Sequence, residues 1–241
     1  MLKALGSCWL GRVDYGAGLV LQERLVERRR EDRIGDTLVL LEHPPVITLG
    51  RGSDKSHVLH DAEQLARRGI ELHEIGRGGD VTYHGPGQLV GYPVVRLEGA
   101  EKDAHAYLRN LESGLIGIAR HYGIEAGRVE GLTGIWVGDE KLAAIGVRLS
   151  TGWITSHGFA LNVTTDLEGF SAIVPCGIHG RGVTSLARLL GWSPPLEEVA
   201  EIAELEIARA LGRQAGPPGD IDCLPSSVPV RGKAVAQGGR A

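Results

Sequence analysis

This chain has no surplus of basic residues: 26 lysines and arginines stand against 30 acidic side chains, for a formal net charge of -4. A nucleic-acid binder has to neutralise phosphates, so this balance argues against one. The arginines at 28–30 are flanked by Glu27, Glu31 and Asp32 and read as a solvated helix face. Cysteine is scarce too. Cys8, Cys176 and Cys223 are far apart and odd in number, which makes no disulfide framework and fits a reducing cytosol. No stretch approaches the ~18 consecutive apolar residues of a membrane span, and the first ten residues lack the apolar core and cleavage pattern of a secretory signal. The expectation is a cytoplasmic protein with neither nucleic acid nor membrane as partner. The sequence also lacks HExxH, a CxxC pair, a GxGxxG fingerprint and a GxxxxGK[ST] phosphate loop. Cys176 and His179 have a metal-like spacing, but no second pair accompanies them, so no metal is expected.

What remains is ordinary globular composition, 42% hydrophobic and 23% charged, with enough chain for one large core. A strand is expected near 5–10 and an amphipathic helix over 14–32, followed by strands at 37–41 and 46–49 joined by His43-Pro44-Pro45. Asp61 is a candidate cap for a short helix ending at Gly69, and strands follow at 70–75 and 88–97. Leu108, Leu111, Leu115, Ile118 and Tyr122 keep the three-or-four spacing of a long helix capped by Asp103 and ended by Gly123. Gly138-Asp139-Glu140 reads as a hairpin turn between strands at 134–137 and 142–149, with another strand at 153–163. Two helices close the pattern, 184–191 and one following Pro194-Pro195 as far as Leu211. Residues 213–241 turn to Gly, Pro, Ser and Ala and are expected to be a disordered tail that contains Cys223. Strand clusters without regular βαβ alternation predict an α+β fold, one domain over 1–212 with mixed, largely antiparallel sheets packed with helices.

Chemistry is expected at two places. The run Arg77-Gly-Gly-Asp-Val-Thr-Tyr-His84-Gly-Pro-Gly-Gln88 has four glycines and a proline, so much of its backbone is bare, and its Val-Thr-Tyr core reads as a strand edge along which a substrate can lie. A ligand-free tight hairpin is the plain alternative. Cys176 sits in the turn Pro175-Cys176-Gly177, more reachable than a strand-core cysteine, although free cysteine is commonly just a small buried hydrophobe. To act as a nucleophile it must be thiolate, which needs a cation or base beside it. His84, His157, His179 and Lys141 are the candidates, and spacing does not choose among them. Lys141 opens the small apolar run Lys-Leu-Ala-Ala-Ile-Gly146, although most lysines at strand starts are merely exposed.

Taken together, Arg77 to Gln88, Lys141-Leu-Ala-Ala-Ile-Gly146, His157-Gly-Phe-Ala-Leu-Asn162 and Pro175-Cys176-Gly177-Ile178 with Val183-Thr184-Ser185-Leu186 resemble the lipoyl/octanoyl transferases. The four motifs run in order from about Gly6 to Leu190, which makes the resemblance far more specific than any one of them. It implies the fold of lipoate and biotin protein ligases, with Cys176 as the acyl-accepting nucleophile and Lys141 as the residue that depresses its pKa. It further implies an acyl pocket made by Arg77, Gly78, Gly79, Asp80, Val81, Thr82, Tyr83 and His84, by Ala144, Ile145 and Gly146, and by Gly158, Phe159 and Ala160. The implied donor is octanoyl-acyl carrier protein. The implied acceptors are lipoyl domains of 2-oxoacid dehydrogenase complexes and the glycine cleavage H protein. No cofactor is implied: transfer between thioesters is close to energy-neutral and amide formation from a thioester is downhill, so ATP is not needed. A ligase holding an adenylate on Arg77, and a silent acyl-binding protein, are the rival readings.

Overall fold

The computed structural model describes residues 2–174 and 181–217. Within these residues twelve strands and five α-helices follow one another as β1 (Lys3–Arg12), α1 (Tyr15–Arg30), β2 (Asp36–Glu42), β3 (Val46–Leu49), α2 (Ala62–Arg67), β4 (Glu71–Glu74), β5 (Val81–His84), β6 (Gln88–Val94), α3 (Ala104–His121), β7 (Gly127–Val129), β8 (Leu132–Val137), β9 (Glu140–Ser150), β10 (Ile154–Asn162), β11 (Gly182–Val183), α4 (Leu186–Leu190), α5 (Leu196–Ala210) and β12 (Arg213–Gly216). The fold is α+β, as the strand clustering predicts.

A mixed nine-stranded sheet runs β12-β1-β2-β6-β10-β9-β8-β7, with β11 added beside β9; a small sheet has the order β4-β3-β5. The large sheet is covered on both faces, and β2 shows how. Leu38 and Leu40 face a core shared with α3 and α5, whereas Val39 and Leu41 face a second core shared with α1. A strand buried on both faces needs apolar residues at every position, which is what its Leu-Val-Leu-Leu run supplies. Helix α3 starts where the Asp103 carboxylate accepts from the N–H groups of His105 and Ala106, and it buries Leu111, Leu115 and Ile118 on one stripe. Asp61 and Gln64 form a reciprocal capping box at α2.

Strands β2 and β3 are joined by His43-Pro44-Pro45 as expected and belong to different sheets, the link carrying the chain from one to the other. One expectation needs correction: the tail does not begin at 213. Arg213–Gly216 is a strand parallel to β1, with Lys3 opposite Arg213. Arg213 is buried, and its Nε donates to Asp36 Oδ2 at 3.0 Å while Arg29 Nε donates to Asp36 Oδ1 at 2.8 Å. Its polar sequence gives no strand alternation; a buried carboxylate 177 residues earlier holds it in place. The rest of the expected tail, with Cys223, lies outside the described residues.

Candidate active site

The large sheet provides one wall of the site. In the antiparallel β9–β10 ladder Ala144, Ile145 and Gly146 stand opposite Ala160, Phe159 and Gly158. The glycines there make room for neighbours: a Cβ on Gly91 of β6 would lie 2.1 Å from the Phe159 ring, and one on Gly158 would lie 2.2 Å from the Gly91 carbonyl oxygen. Close strand packing therefore requires both glycines, and Gly91 lets the Phe159 ring lie over β6.

The small sheet provides the opposite lip. Strand β5 is an edge strand, and residues 77–80 lead into it along β9, where Gly78 N–H donates to Val147 O at 3.0 Å. The Arg77 guanidinium is buried and reaches back to β3, Nη2 donating to Thr48 O and to Thr48 Oγ1, both at 2.9 Å, and Nη1 to Gly78 O. Gly79 takes a φ of +86°, a conformation only glycine adopts without strain. Asp80 Oδ2 meets His57 Nδ1 at 2.6 Å.

Between wall and lip is a narrow cavity of about 60 Å³, bounded by Arg77, Gly79, Asp80, Thr82 and His84 on one side and by residues 144–146 and 158–160 on the other. Strand alternation corrects part of the expected pocket: Val81 and Tyr83 point away from the cavity into the core under the small sheet, with Ile47, Leu49 and Phe170. Gly78 is also absent from the lining and acts through its N–H. Three aromatic or aliphatic residues that carry no motif join the lining, namely Tyr15, Val90 and Tyr92. A larger groove of about 470 Å³ opens on the far side of His157, but charged residues of α1 with Glu74 and Arg148 line it, and it contains none of the glycine wall. Small and aromatic residues make up most of the narrow cavity, whereas charged side chains make up much of the larger groove.

The cavity has a direction. Lys141 is the second residue of β9, and Val147, six residues on, lies about 20 Å further along at the usual strand rise. Residues 77–84 run the opposite way, from Val147 toward Gln88 and Asn162, which neighbour the Lys141 end. Lys141 is buried, its Nζ 4.7 Å from the centre of the Trp136 ring, which Arg181 also approaches at 5.3 Å. Of the candidate partners for a thiolate, His84 and His157 both line the cavity, and Lys141 is linked to His84 through Gln88, Asn162 and the Thr184 backbone. His179 and Cys176 lie outside the described residues, and the described chain on either side stops at Val174, whose N–H bonds His57 O, and resumes at Arg181.

The histidines around the cavity are neutral. Burial lowers His43 to about 4, His84 to about 3 and His157 to about 4, with the Arg77 charge adding to the effect on the latter two. His43 is fixed between Val13 O, which its Nδ1–H reaches at 2.6 Å, and Tyr92, whose hydroxyl donates to Nε2 at 2.6 Å. His157 adopts an unusual φ of +57° and its N–H donates to Gln22 Oε1 at 2.7 Å. Among the described residues no cluster of three His, Cys, Asp or Glu side chains is arranged to hold a metal ion.

Residues 14–208 match the model of the lipoyl protein ligase A/B catalytic domain. The chain is 51% identical over 230 residues to an octanoyltransferase of Acidobacterium capsulatum, covering 88% of this chain and 93% of that one. It is 52% identical over 202 residues to an octanoyltransferase of Chloroflexus aggregans, covering 83% and 91%. In three dimensions it is similar to lipoate-protein ligase A bound with ATP, with a TM-score of 0.71 at 17% identity and coverage of 92% and 91%. That likeness shows the shared fold.

Proposed function

The chain belongs to the octanoyltransferase family within the lipoyl protein ligase A/B catalytic domain, and we propose that it moves an octanoyl group from octanoyl-acyl carrier protein through a Cys176 thioester to a lipoyl-domain lysine. The acceptors are lipoyl domains of 2-oxoacid dehydrogenase complexes and the glycine cleavage H protein, and the reaction takes place in the cytoplasm. One observation carries the reading: a buried amine, Lys141, lies on β9 three residues before Ala144, and residues 144–146 with Gly158, Phe159 and Ala160 form one wall of the cavity.

The slot suits the cargo. Eight carbons, extended at the ~3.3–3.6 Å that three bonds of a chain cover, measure about 8–9 Å. Residues 144–146 begin about 10 Å beyond Lys141 along β9. An octanoyl chain is therefore about as long as the stretch of β9 that separates Lys141 from the small residues lining the cavity. At about 0.8 kcal/mol per buried methylene, such a chain contributes on the order of 5 kcal/mol to binding.

The chemistry runs in two steps. The Cys176 thiolate attacks the donor thioester and carrier thiolate leaves; the target amine then attacks the Cys176 thioester, the carbon–sulfur bond breaks, and the amine's lost proton returns the sulfur to a thiol as the amide forms. Lys141 favours the thiolate by its positive charge in a site of low dielectric. Intact-mass measurement after mixing with octanoyl-acyl carrier protein tests this: the expected result is a gain of one octanoyl group, removed by hydroxylamine and absent in Cys176→Ala. ATP-dependent transfer that survives Cys176→Ala would overturn it. For Lys141, the Lys141→Ala variant is expected to raise the apparent pKa of Cys176 alkylation, and an unchanged profile would remove Lys141 from this role.

A further inference from the structure

His157 stands where two spaces meet. It borders both the narrow cavity and the larger groove, and among the described residues no other does. The chain passes from one space to the other on each side of it, between Gly76 and Arg77, between Ser156 and Gly158, and between Arg148 and Gly146. In the β9–β10 ladder His157 is opposite Val147. Along β9, Val147 follows the cavity-lining residues 144–146, whereas Lys141 precedes them.

The backbone shows why a bulky side chain is fixed at this point. Strands β6 and β10 pair Phe159 with Gly91, and a bridge further along pairs Ile154 with Arg96, a register that sets Pro93 opposite His157. Proline has no N–H to give to a ladder, so the pairing is interrupted there. His157 takes a φ of +57°. Two other non-glycine residues have a positive φ among the described residues: Asp32 follows α1 and Trp153 is in the turn between β9 and β10, so His157 alone is inside a strand. Such a residue is strained and persists only where its surroundings hold it. Helix α1 does so, because the His157 N–H donates to Gln22 Oε1 at 2.7 Å.

The two sides of the imidazole differ in kind. On one are the glycines, alanines and Phe159 of the wall. On the other are Glu23, Glu27, Arg30, Glu74 and Arg148, and the remaining polar atom of the Gln22 amide, Nε2, is buried with no hydrogen-bond partner. Methylenes lying there would take water from charged groups and from that N–H without replacing it. A fatty chain therefore gains from each methylene on the wall side of His157 and not from those beyond it.

We infer that the His157 imidazole is the stop that limits acyl length: a chain laid along β9 and β10 from the Lys141 side ends against it and is kept out of the charged groove. His157 makes and breaks no bond in this role. It decides which acyl groups fit.

This inference rests on the reading of the cavity as the acyl site, and the test separates it from the thioester chemistry. Free saturated fatty acids from hexanoate to hexadecanoate, each below its micellar concentration, report occupancy of the cavity without any step at Cys176. Calorimetric affinity for the full-length chain is expected to rise by up to roughly fourfold per methylene and then to stop rising at a limiting length. His157→Gly removes the ring at a φ that glycine adopts without strain. It is expected to move the limit outward by about two carbons or more, the acid two carbons past the wild-type limit gaining about tenfold. His157→Asn, shorter than histidine and tolerant of the same φ, is expected to give an intermediate shift. An unchanged limit in His157→Gly overturns the inference. So does an equal loss of affinity at every length in both variants, the pattern of a disturbed cavity. Wild-type protein that binds none of the acids overturns the acyl reading of the cavity, and this inference with it. A shifted limit in a protein that fails to load octanoyl groups removes the thioester step and supports the stop.

Discussion

The two sheets that enclose the cavity are held together by different means. The large sheet is a continuous ladder sealed on both faces by apolar cores, and its part of the site is backbone register plus small residues. The small sheet has three short strands, and its lip is pinned by polar groups: Arg77 on Thr48, Asp80 on His57, Gly78 on Val147. A wall made by packing is intolerant of added volume, whereas a lip made by hydrogen bonds is sensitive to lost partners and to protonation. That contrast suits an enzyme that keeps a fixed trough for a fatty chain while the opposite side admits it.

The comparison can be broken most forcefully where the large sheet departs from its own rule. Arg213 is a polar pin in an otherwise apolar structure, and Arg213→Ala leaves the buried Asp36 with only part of its partners. The expected cost is about 3–5 kcal/mol by thermal or denaturant unfolding, whereas truncation after 217 leaves stability near wild type. Equal effects of the two changes would return residues 213–216 to the tail. Next comes the packed wall itself. Gly91→Ala puts a methyl into the Phe159 ring and is expected to cost about 1–3 kcal/mol by overpacking, with octanoyl loading reduced because Phe159 moves. A stable variant with normal loading would mean that the wall yields.

Acid tests the lip. His43, His84 and His157 ordinarily titrate near 6.5 and are lowered in the folded chain to about 4, 3 and 4. Because the folded state disfavours their protons, the stability they contribute is complete above pH 6.5 and is lost progressively as pH falls toward 4 and below. Amide exchange in β3 and β5 should quicken over that range before exchange in β2 and β6. A uniform change across both sheets would show that the histidines do not act at their junction. The mildest change is Gly78→Ala, where the nearest atom to the added carbon is Val147 O at 3.4 Å. It is expected to alter stability by no more than about 0.5 kcal/mol, and a loss of several kcal/mol would mean the lip is as tightly packed as the wall.

Much of this was legible from local pattern. The Asp103 and Asp61 caps, the leucine stripe of α3, the turn at Gly138 and the run into β10 all appear where spacing predicts them, because each depends on neighbours within a few residues. The eight-residue block 77–84 was too generous, since a strand turns alternate side chains away and Val81 and Tyr83 support the small sheet from below. Tyr15, Val90 and Tyr92 carry no motif, and only the crossing of α1 and β6 brings them to the cavity.

Residue type and short-range periodicity carry enough information for the family and the succession of strands and helices to be read from the chain. Which residues meet is settled by the fold. The assignment of β2 and β3 to different sheets, the grip of Asp36 on Arg213 and the tie from Gln88 through Asn162 to Thr184 each depend on groups far apart in the chain, and a hydrogen bond across such a span leaves no periodic trace in the sequence.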